Sequence, residues 1–555
     1  MDVINNLRYF IFCTLIVSGC MPERPDQFDI TRYGASIQSQ NNAPAIQAAI
    51  DACHQSGGGI VNIPTGQFIT GVIVLKSNVN LYLSPGAVLF GSTNLEDYLL
   101  NGIRNGMIYA QNAKNISITG EGTIHGNGTY FHDEKKVHSS GNLDKQHTRQ
   151  KDNFLPEGQI FKDGPIGYES RPGMLAVFLS CEQIKIQNVT FKDSPEWTIR
   201  FGECDDVYVD GISIYNNLLV PNSDGIHCTA SRNIRISNCD IRAGDDAIIV
   251  TGFGNDIGVH GGSEDRDDKL GEDRVGNNTG FAENVVVSNC LLQSRSAGIR
   301  VGYGDHPIRN CTFQNLVIYN SNRGLGIFAR DGISIENIKF SNIVIQNRLH
   351  TGWWGNGEPI HVSAISQNDT IPAGNISNVT FNDISIDTEG GIVIYAHEKG
   401  LVQDIRFDNV NMKVRQSELN ETFGGNFDFR PALSDEYGVF EHEIPGVFAS
   451  RITDLTIHDF KLEWMDIMED FHTHGLHIVG SENVVLEGFS GRQANDNLDH
   501  AAICLENVKN YILRQCTASP GTQIFLKHNG LEGEGVVTDN LFSNARIAYY
   551  PDKPK

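Results

Sequence analysis

From about residue 110 to the C-terminus, one pattern of hydrophobic and polar positions keeps returning. Apolar and polar residues alternate, a corner of Asn, Asp or Gly follows, and a second apolar alternation begins. The clearest copies are Ile184-Lys185-Ile186-Gln187-Asn188, Ile234-Arg235-Ile236-Ser237-Asn238, Val285-Val286-Val287-Ser288-Asn289 and Ile405-Arg406-Phe407-Asp408-Asn409; weaker ones end at Gly211, Asp383, Asp459, Gly488 and Gln515. Period-two alternation predicts strands. The shortest corner intervals, 188 to 211, 289 to 310 and 211 to 238, are 23, 21 and 27 residues, which predicts stacked coils. The 238 to 289 gap reads as two units or as one unit with an insertion. Asn suits such a corner because it tolerates left-handed backbone, and its amide can bond the coils above and below. A propeller would need four strands in a longer repeat. The pattern therefore predicts an all-β fold, a single right-handed parallel β-helix (solenoid).

The start of the chain reads differently. Asn41-Asn42-Ala43-Pro44 offers an N-cap followed by Pro in the first turn. Ile46, Ala49, Ile50 and Cys53 then fall on one helical face, and Gly57-Gly58-Gly59 stops the helix. A helix there, within a cap of about residues 28–60, would cover the open end of the solenoid, where an unpaired coil is a sticky edge. No linker composition appears, so 21–555 reads as one domain.

Composition narrows the options. A compact core rarely grows beyond roughly 250–300 residues, so 555 residues suit a fold that grows by repetition. With 43 Lys+Arg against 67 Asp+Glu the net charge is −24, which argues against a nucleic-acid partner. Tyr9 to Val17 is apolar, too short to span a bilayer, and runs into Val17-Ser18-Gly19-Cys20. Residues 1–20 are thus expected to be a lipoprotein-type signal peptide with Cys20 as the lipidation site. The expected location is the outer membrane or cell surface of a bacterium, otherwise the periplasm or medium, with membrane contact only through the anchor. Of eleven cysteines, Cys13 and Cys20 belong to this leader, and nine remain. Cys239, Cys290 and Cys311 each follow Asn inside strand patterns, which suits small buried residues better than a disulfide framework. No zinc spacing appears, and no metal or organic cofactor is expected.

Two short segments carry chemistry: Asn222-Ser223-Asp224-Gly225 and Gly244-Asp245-Asp246. Asp224 and Asp245 are 21 residues apart, close to one coil, and one coil is only about 4.8 Å in space. Three carboxylates would then share one patch, where like charge raises at least one pKa. A protonated acid beside an ionised base is what glycosidic cleavage needs. Asp-Gly and Gly-Asp are also ordinary turn signals, and clustered carboxylates can instead hold a cation such as calcium.

With these segments in view, the chain resembles glycoside hydrolase family 28, the polygalacturonase-like family. The resemblance runs from Phe28-Asp29-Ile30-Thr31-Arg32-Tyr33-Gly34-Ala35 through Arg171-Pro172-Gly173-Met174 and Ser194-Pro195-Glu196-Trp197-Thr198 to the Asp segments. It implies a β-helix and an inverting hydrolase, with Asp245 as general acid and Asp224 with Asp246 holding and activating water. Two departures stand out. Ala297 stands where the family has the His of Gly-His-Gly, and Gly326 and Phe328 stand where it has the cations of Arg-Ile-Lys. Each lost cation removes a charge-assisted bond to a uronate worth roughly 1.5–3 kcal/mol. Arg300 or Arg330 is the candidate to restore one, from a different direction, Arg323 is a further substrate-binding candidate, and a standard polygalacturonase is not the expectation.

Further substrate-binding candidates are His227, three residues after Asp224, Tyr303, and the pair Trp353-Trp354, of which one is expected exposed and one packed. His306 is a weaker candidate. The acidic stretch Glu264 to Asp273 reads as a solvated loop, and Asp133 to Asp163 as an insertion walling one face. The expected function is hydrolysis of O-glycosidic bonds in a complex, pectic polysaccharide or oligosaccharide. The alternatives are a β-helix polysaccharide lyase or epimerase, with a Lys or Arg base and calcium, and a non-catalytic glycan-binding surface lipoprotein. Retention of all three Asp favours the hydrolase over the binder.

Overall fold

The computed structural model describes residues 27–138, 145–154, 164–253, 280–367, 369–432 and 438–554. The expected leader with Cys20 and the acidic stretch from Glu264 to Asp273 lie outside the described residues, as do parts of the expected 133–163 insertion. The chain winds as a parallel β-helix. Each coil lends one strand to a 15-stranded sheet whose strands follow in chain order, and the rest of the coil to a 25-stranded sheet. Parallel crossovers of this kind are right-handed.

The repeat register matches the pattern in the sequence. Ile184 pairs with Val207, Val207 with Ile234, Ile234 with Val285 and Val285 with Cys311. Ile234 meets Val285 directly, so the 238 to 289 gap is one coil carrying an insertion. Every corner named above is left-handed: Asn188, Asn238, Asn289 and Asn409 have φ of 60°, 58°, 57° and 53°, and Gly211, Asp383, Asp459, Gly488 and Gln515 are likewise positive. The corner amides form columns. Asn289 donates to Asn238 at 3.3 Å, Asn315 to Asn289 at 3.1 Å and Asn342 to Asn315 at 2.9 Å.

Inside the solenoid, Ile and Val from successive coils are fully buried, each contributing about 1.5–3 kcal/mol. Phe313, Phe340, Phe381 and Phe407 stack at 4.9, 5.1 and 4.8 Å. All nine cysteines among the described residues are buried and none forms a disulfide, in keeping with a packing role.

The N-terminal helix, Ala43–Gln55, buries Ala43, Ile46, Ala49, Ile50 and Cys53 over the first coils. Its first turn is held by the Asn41 side chain, whose Oδ1 accepts the Ala43 N–H at 2.9 Å. Asn42 reaches instead to Ile69 O at 3.0 Å and ties the helix to the next turn of chain.

Two excursions rise over the 15-stranded sheet. His132–Val137 pairs antiparallel with Ile166–Tyr168, and Asn426–Asp428 with Val439–Glu441. The Arg149 amide donates to Asn426 Oδ1 at 2.8 Å and Gln150 Nε2 to Gly424 O at 2.7 Å, so the insertion docks on the later excursion. Between them they wall a cavity.

Candidate active site

The site is built from positions that recur on the 15-stranded sheet. Ile199, Ile226, Ile248, Ile299, Leu325 and Ile360 are successive register partners pointing inward. The residues two places earlier form a row: Trp197, Asp224, Asp246, Ala297, Arg323 and Glu358. The residues one place later form another: Arg200, His227, Ile249, Arg300, Gly326 and His361. Asp224 therefore has Asp246 as its coil neighbour, and Asp245 stands beside the pair.

Carboxyl oxygens of all three Asp lie within 4.8 Å of one another. The glycines of the two motifs are required by this approach. A Cβ on Gly225 would meet Ala247 O at 2.2 Å, and one on Gly244 would meet Val220 O at 2.3 Å. Backbone bonds lock the turns: the Thr198 N–H donates to Asp224 O at 2.9 Å, Ser294 Oγ to Asp245 O at 2.6 Å, and the Ala297 N–H to Asp246 Oδ1 at 2.8 Å. Arg171 donates to Pro195 O at 2.9 Å and Pro221 O at 3.0 Å, which explains the Arg171 and Ser194–Thr198 segments as scaffolding for the Asp224 turn.

Electrostatics separate the three acids. Burial, then the nearby Asp246 charge, pushes Asp245 up to about 7. Burial and both neighbouring carboxylates raise Asp224 well above the usual range, and its Oδ1 is buried without a hydrogen-bond donor. Arg300 opposes both shifts and forms an ion pair with Asp246 through Nε. Arg300 thus pairs with Asp246, while the Asp224 and Asp245 carboxyls hold a proton more tightly than ordinary carboxyls do.

These groups face a cavity of about 550 Å³, a size suited to a sugar unit or two. Asp224, His227, Asp245, Asp246, Arg300, Tyr303, Arg323, Trp353 and Trp354 all line it. Trp353 is 5% exposed and Trp354 37%, one packed and one open. His227 stacks on Trp197 with ring centroids 3.8 Å apart and approaches Arg300 Nη2 at 3.4 Å. The Arg300 guanidinium lies 4.6 Å over Tyr303.

Arg330 is different. It is fully buried behind the wall, donating to Ser363 O at 2.9 Å, Phe429 O at 3.1 Å and Pro431 O at 2.9 Å. Its expected grip on substrate is therefore corrected: the excursion after Asn426 covers it and takes its donors. Phe328 lies between the two arginines, 5.0 Å from Arg323 and 5.3 Å from Arg330. His306 pairs with Asp305 at 2.9 Å outside the cavity wall. Sequence reasoning missed Trp197, Tyr168 and Gln367 as wall residues, whereas His138 lies on the insertion expected to wall one face. Only Trp197 carried a signal, its place two residues before a coil strand.

The family model described as "Glycosyl hydrolases family 28" matches residues 53–422. The chain belongs to glycosyl hydrolase family 28. It is 30% identical over 339 residues to an "Exo-poly-alpha-D-galacturonosidase" of Dickeya chrysanthemi, covering 53% of this chain and 56% of that protein. It is 23% identical over 412 residues to an "Endo-polygalacturonase" of Pectobacterium carotovorum subsp. carotovorum, covering 70% and 88%. The chain spans about half the length of the first curated relatives it matches. A solved family 28 exopolygalacturonase of Yersinia enterocolitica shares the fold, at TM-score 0.51 and 16% identity over 88% of this chain and 78% of that one. The family 28 match includes the three Asp, Arg300 and Arg323, and ends before the last coils.

Proposed function

We propose that this family 28 chain hydrolyses O-glycosidic bonds in a pectic polysaccharide. The observation that carries the reading is the cluster of Asp224, Asp245 and Asp246, their carboxyl oxygens within 4.8 Å of one another, with one cation, Arg300, paired to Asp246. Asp245 donates its proton to the leaving glycosidic oxygen as the C1–O bond breaks. A water held by Asp224 and Asp246 attacks C1, and its proton passes to the carboxylate. The two cavity arginines are each paired with a carboxylate, Arg300 with Asp246 and Arg323 with Glu358 at 3.4 Å. That leaves less charge for a uronate than the family's cation pair provides, so the preferred linkage differs from that between two bare galacturonates. Trp354, the more open of the Trp353-Trp354 pair, offers an aromatic face to a sugar ring.

The test is product analysis on polygalacturonan, rhamnogalacturonan, a neutral galactan and a sulfated galactan, with Asp245→Asn in parallel. Saturated sugars from a pectic polymer, released by wild type alone, are expected. Unsaturated products that absorb in the ultraviolet, or equal release by the variant, would overturn the reading. Cleavage of polygalacturonan alone would refute the inference from the lost cations.

Inversion, which the family resemblance implies, predicts that the first-formed anomer seen by proton NMR is opposite to the substrate's. We further propose export with a lipid anchor on Cys20; Cys20→Ser should move the protein from the membrane fraction to the soluble one, and an unchanged distribution would refute the anchor.

A further inference from the structure

A second cluster of chemistry-bearing side chains lies on the same sheet, well beyond the cavity. Gly326, His361, Val393, Phe448, His477 and Cys504 are successive register partners, continuing the row that holds Arg300. His477 is thus five coils past Arg300, roughly 24 Å at about 4.8 Å per coil. It falls outside residues 53–422, the segment that matches the family.

Ligand atoms of His474, His477 and Cys504 all lie within 4.8 Å of one another. The His474 ring is 4.9 Å from that of His477 and 5.3 Å from that of His500. Glu506 Oε1 approaches His477 Nε2 at 3.4 Å and Cys504 Sγ at 3.7 Å. Both ring nitrogens of His477, and Nδ1 of His500, are buried without a well-formed hydrogen bond. Buried polar atoms left so are uncommon and often mark a water or ion site. Phe448 closes one side, its ring 5.7 Å from that of His477, while half-buried His500 and Glu506 leave a path from solvent.

We propose that His474, His477 and Cys504, completed by Glu506 or His500, bind one zinc-class divalent metal ion. Two imidazoles and a thiol select a borderline-to-soft transition metal, whereas calcium and magnesium take oxygen ligands. With Zn–S about 2.3 Å and Zn–N about 2.0–2.1 Å, tetrahedral ligand atoms sit roughly 3.5 Å apart, so the side chains draw in by about an ångström. His474 Nδ1 now accepts the Ala501 N–H at 2.9 Å, and coordination by that ring exchanges this bond for the metal. Cys504 binds as thiolate and releases its proton to solvent. The metal would clamp the segment at His474 to the following coil at Cys504, beyond the part of the chain that the family shares.

The test is titration of metal-stripped full-length protein with cobalt(II), followed by visible and near-ultraviolet absorption. One equivalent should give tetrahedral d–d bands and a thiolate-to-cobalt charge-transfer band. Cys504→Ser should abolish the charge-transfer band, His477→Ala should weaken binding at least tenfold, and Asp245→Asn should leave the spectrum intact. Circular dichroism verifies that the variants fold. A spectrum without the thiolate band, or one that survives Cys504→Ser, would overturn the site. Zinc should also raise the thermal midpoint of the wild type and not of His477→Ala; an equal rise in both would contradict the proposal.

Discussion

Two columns of polar side chains climb this β-helix at the coil spacing, and they do opposite things. In one, Asn284 donates to Asn233 at 3.0 Å, Asn310 to Asn284 at 3.4 Å and Asn337 to Asn310 at 2.7 Å. In the other, Asp224 and Asp246 stand on adjacent coils with Asp245 beside them, their oxygens within 4.8 Å. An amide carries donors and acceptors, so a column of amides satisfies itself. An ionised carboxylate only accepts, so a column of carboxylates must keep a proton or recruit a cation. The same spacing gives cohesion on one side of the solenoid and acid–base chemistry on the other.

The strongest way to break this contrast is to make the reactive column resemble the inert one. Asp245→Asn should lower turnover roughly 10²–10⁴-fold and raise stability above neutral pH. The sign follows from linkage. With the folded pKa raised from 3.8 to about 7, the native state binds the proton more tightly, so stability falls as pH rises across that window and the loss is complete above it. The amide removes this loss. Turnover assays and calorimetry at pH 5 and pH 8 check both halves.

Next in size is loss of the cation. Arg300→Gln leaves the carboxylates without their counter-ion and should cost about 3 kcal/mol at neutral pH, measured by denaturant titration. It should also move the alkaline limb of activity upward, because Arg300 holds Asp245 down. A smaller effect is expected in the amide column. Asn289→Ala should cost about 2 kcal/mol, from two lost exposed hydrogen bonds, to Asn238 and from Asn315, and an Ala forced into left-handed backbone at φ 57°, with activity retained. Asn289→Gly should recover the backbone part only. Smallest, Trp354→Ala should raise KM a few-fold to tenfold and leave kcat nearly unchanged, as expected for a half-open stacking face.

The coils and the Asp trio were legible because both are repeat properties. Alternation and left-handed corners are local, and a coil interval converts sequence distance directly into spatial distance. Even so, the 21-residue reading paired Asp224 with Asp245, whereas the register makes Asp246 its coil neighbour. What surrounds the site was not legible. Arg300 and Arg330 look alike in sequence, yet Arg330 is sealed by Phe429 and Pro431, a hundred residues downstream. His138 and Tyr168 reach the cavity on an insertion that follows no repeat, and nothing periodic announces where such a segment folds back.

The most direct test of the shared proton is the pH dependence of kcat/KM on the polymer that the wild type cleaves. Asp245 must be protonated to act, so the rate should decline as pH rises through about 7, with that limb shifted in Arg300→Gln. A rate that stays level well above pH 7, or that already declines near pH 4 as for an ordinary carboxyl, would contradict Asp245 as the acid.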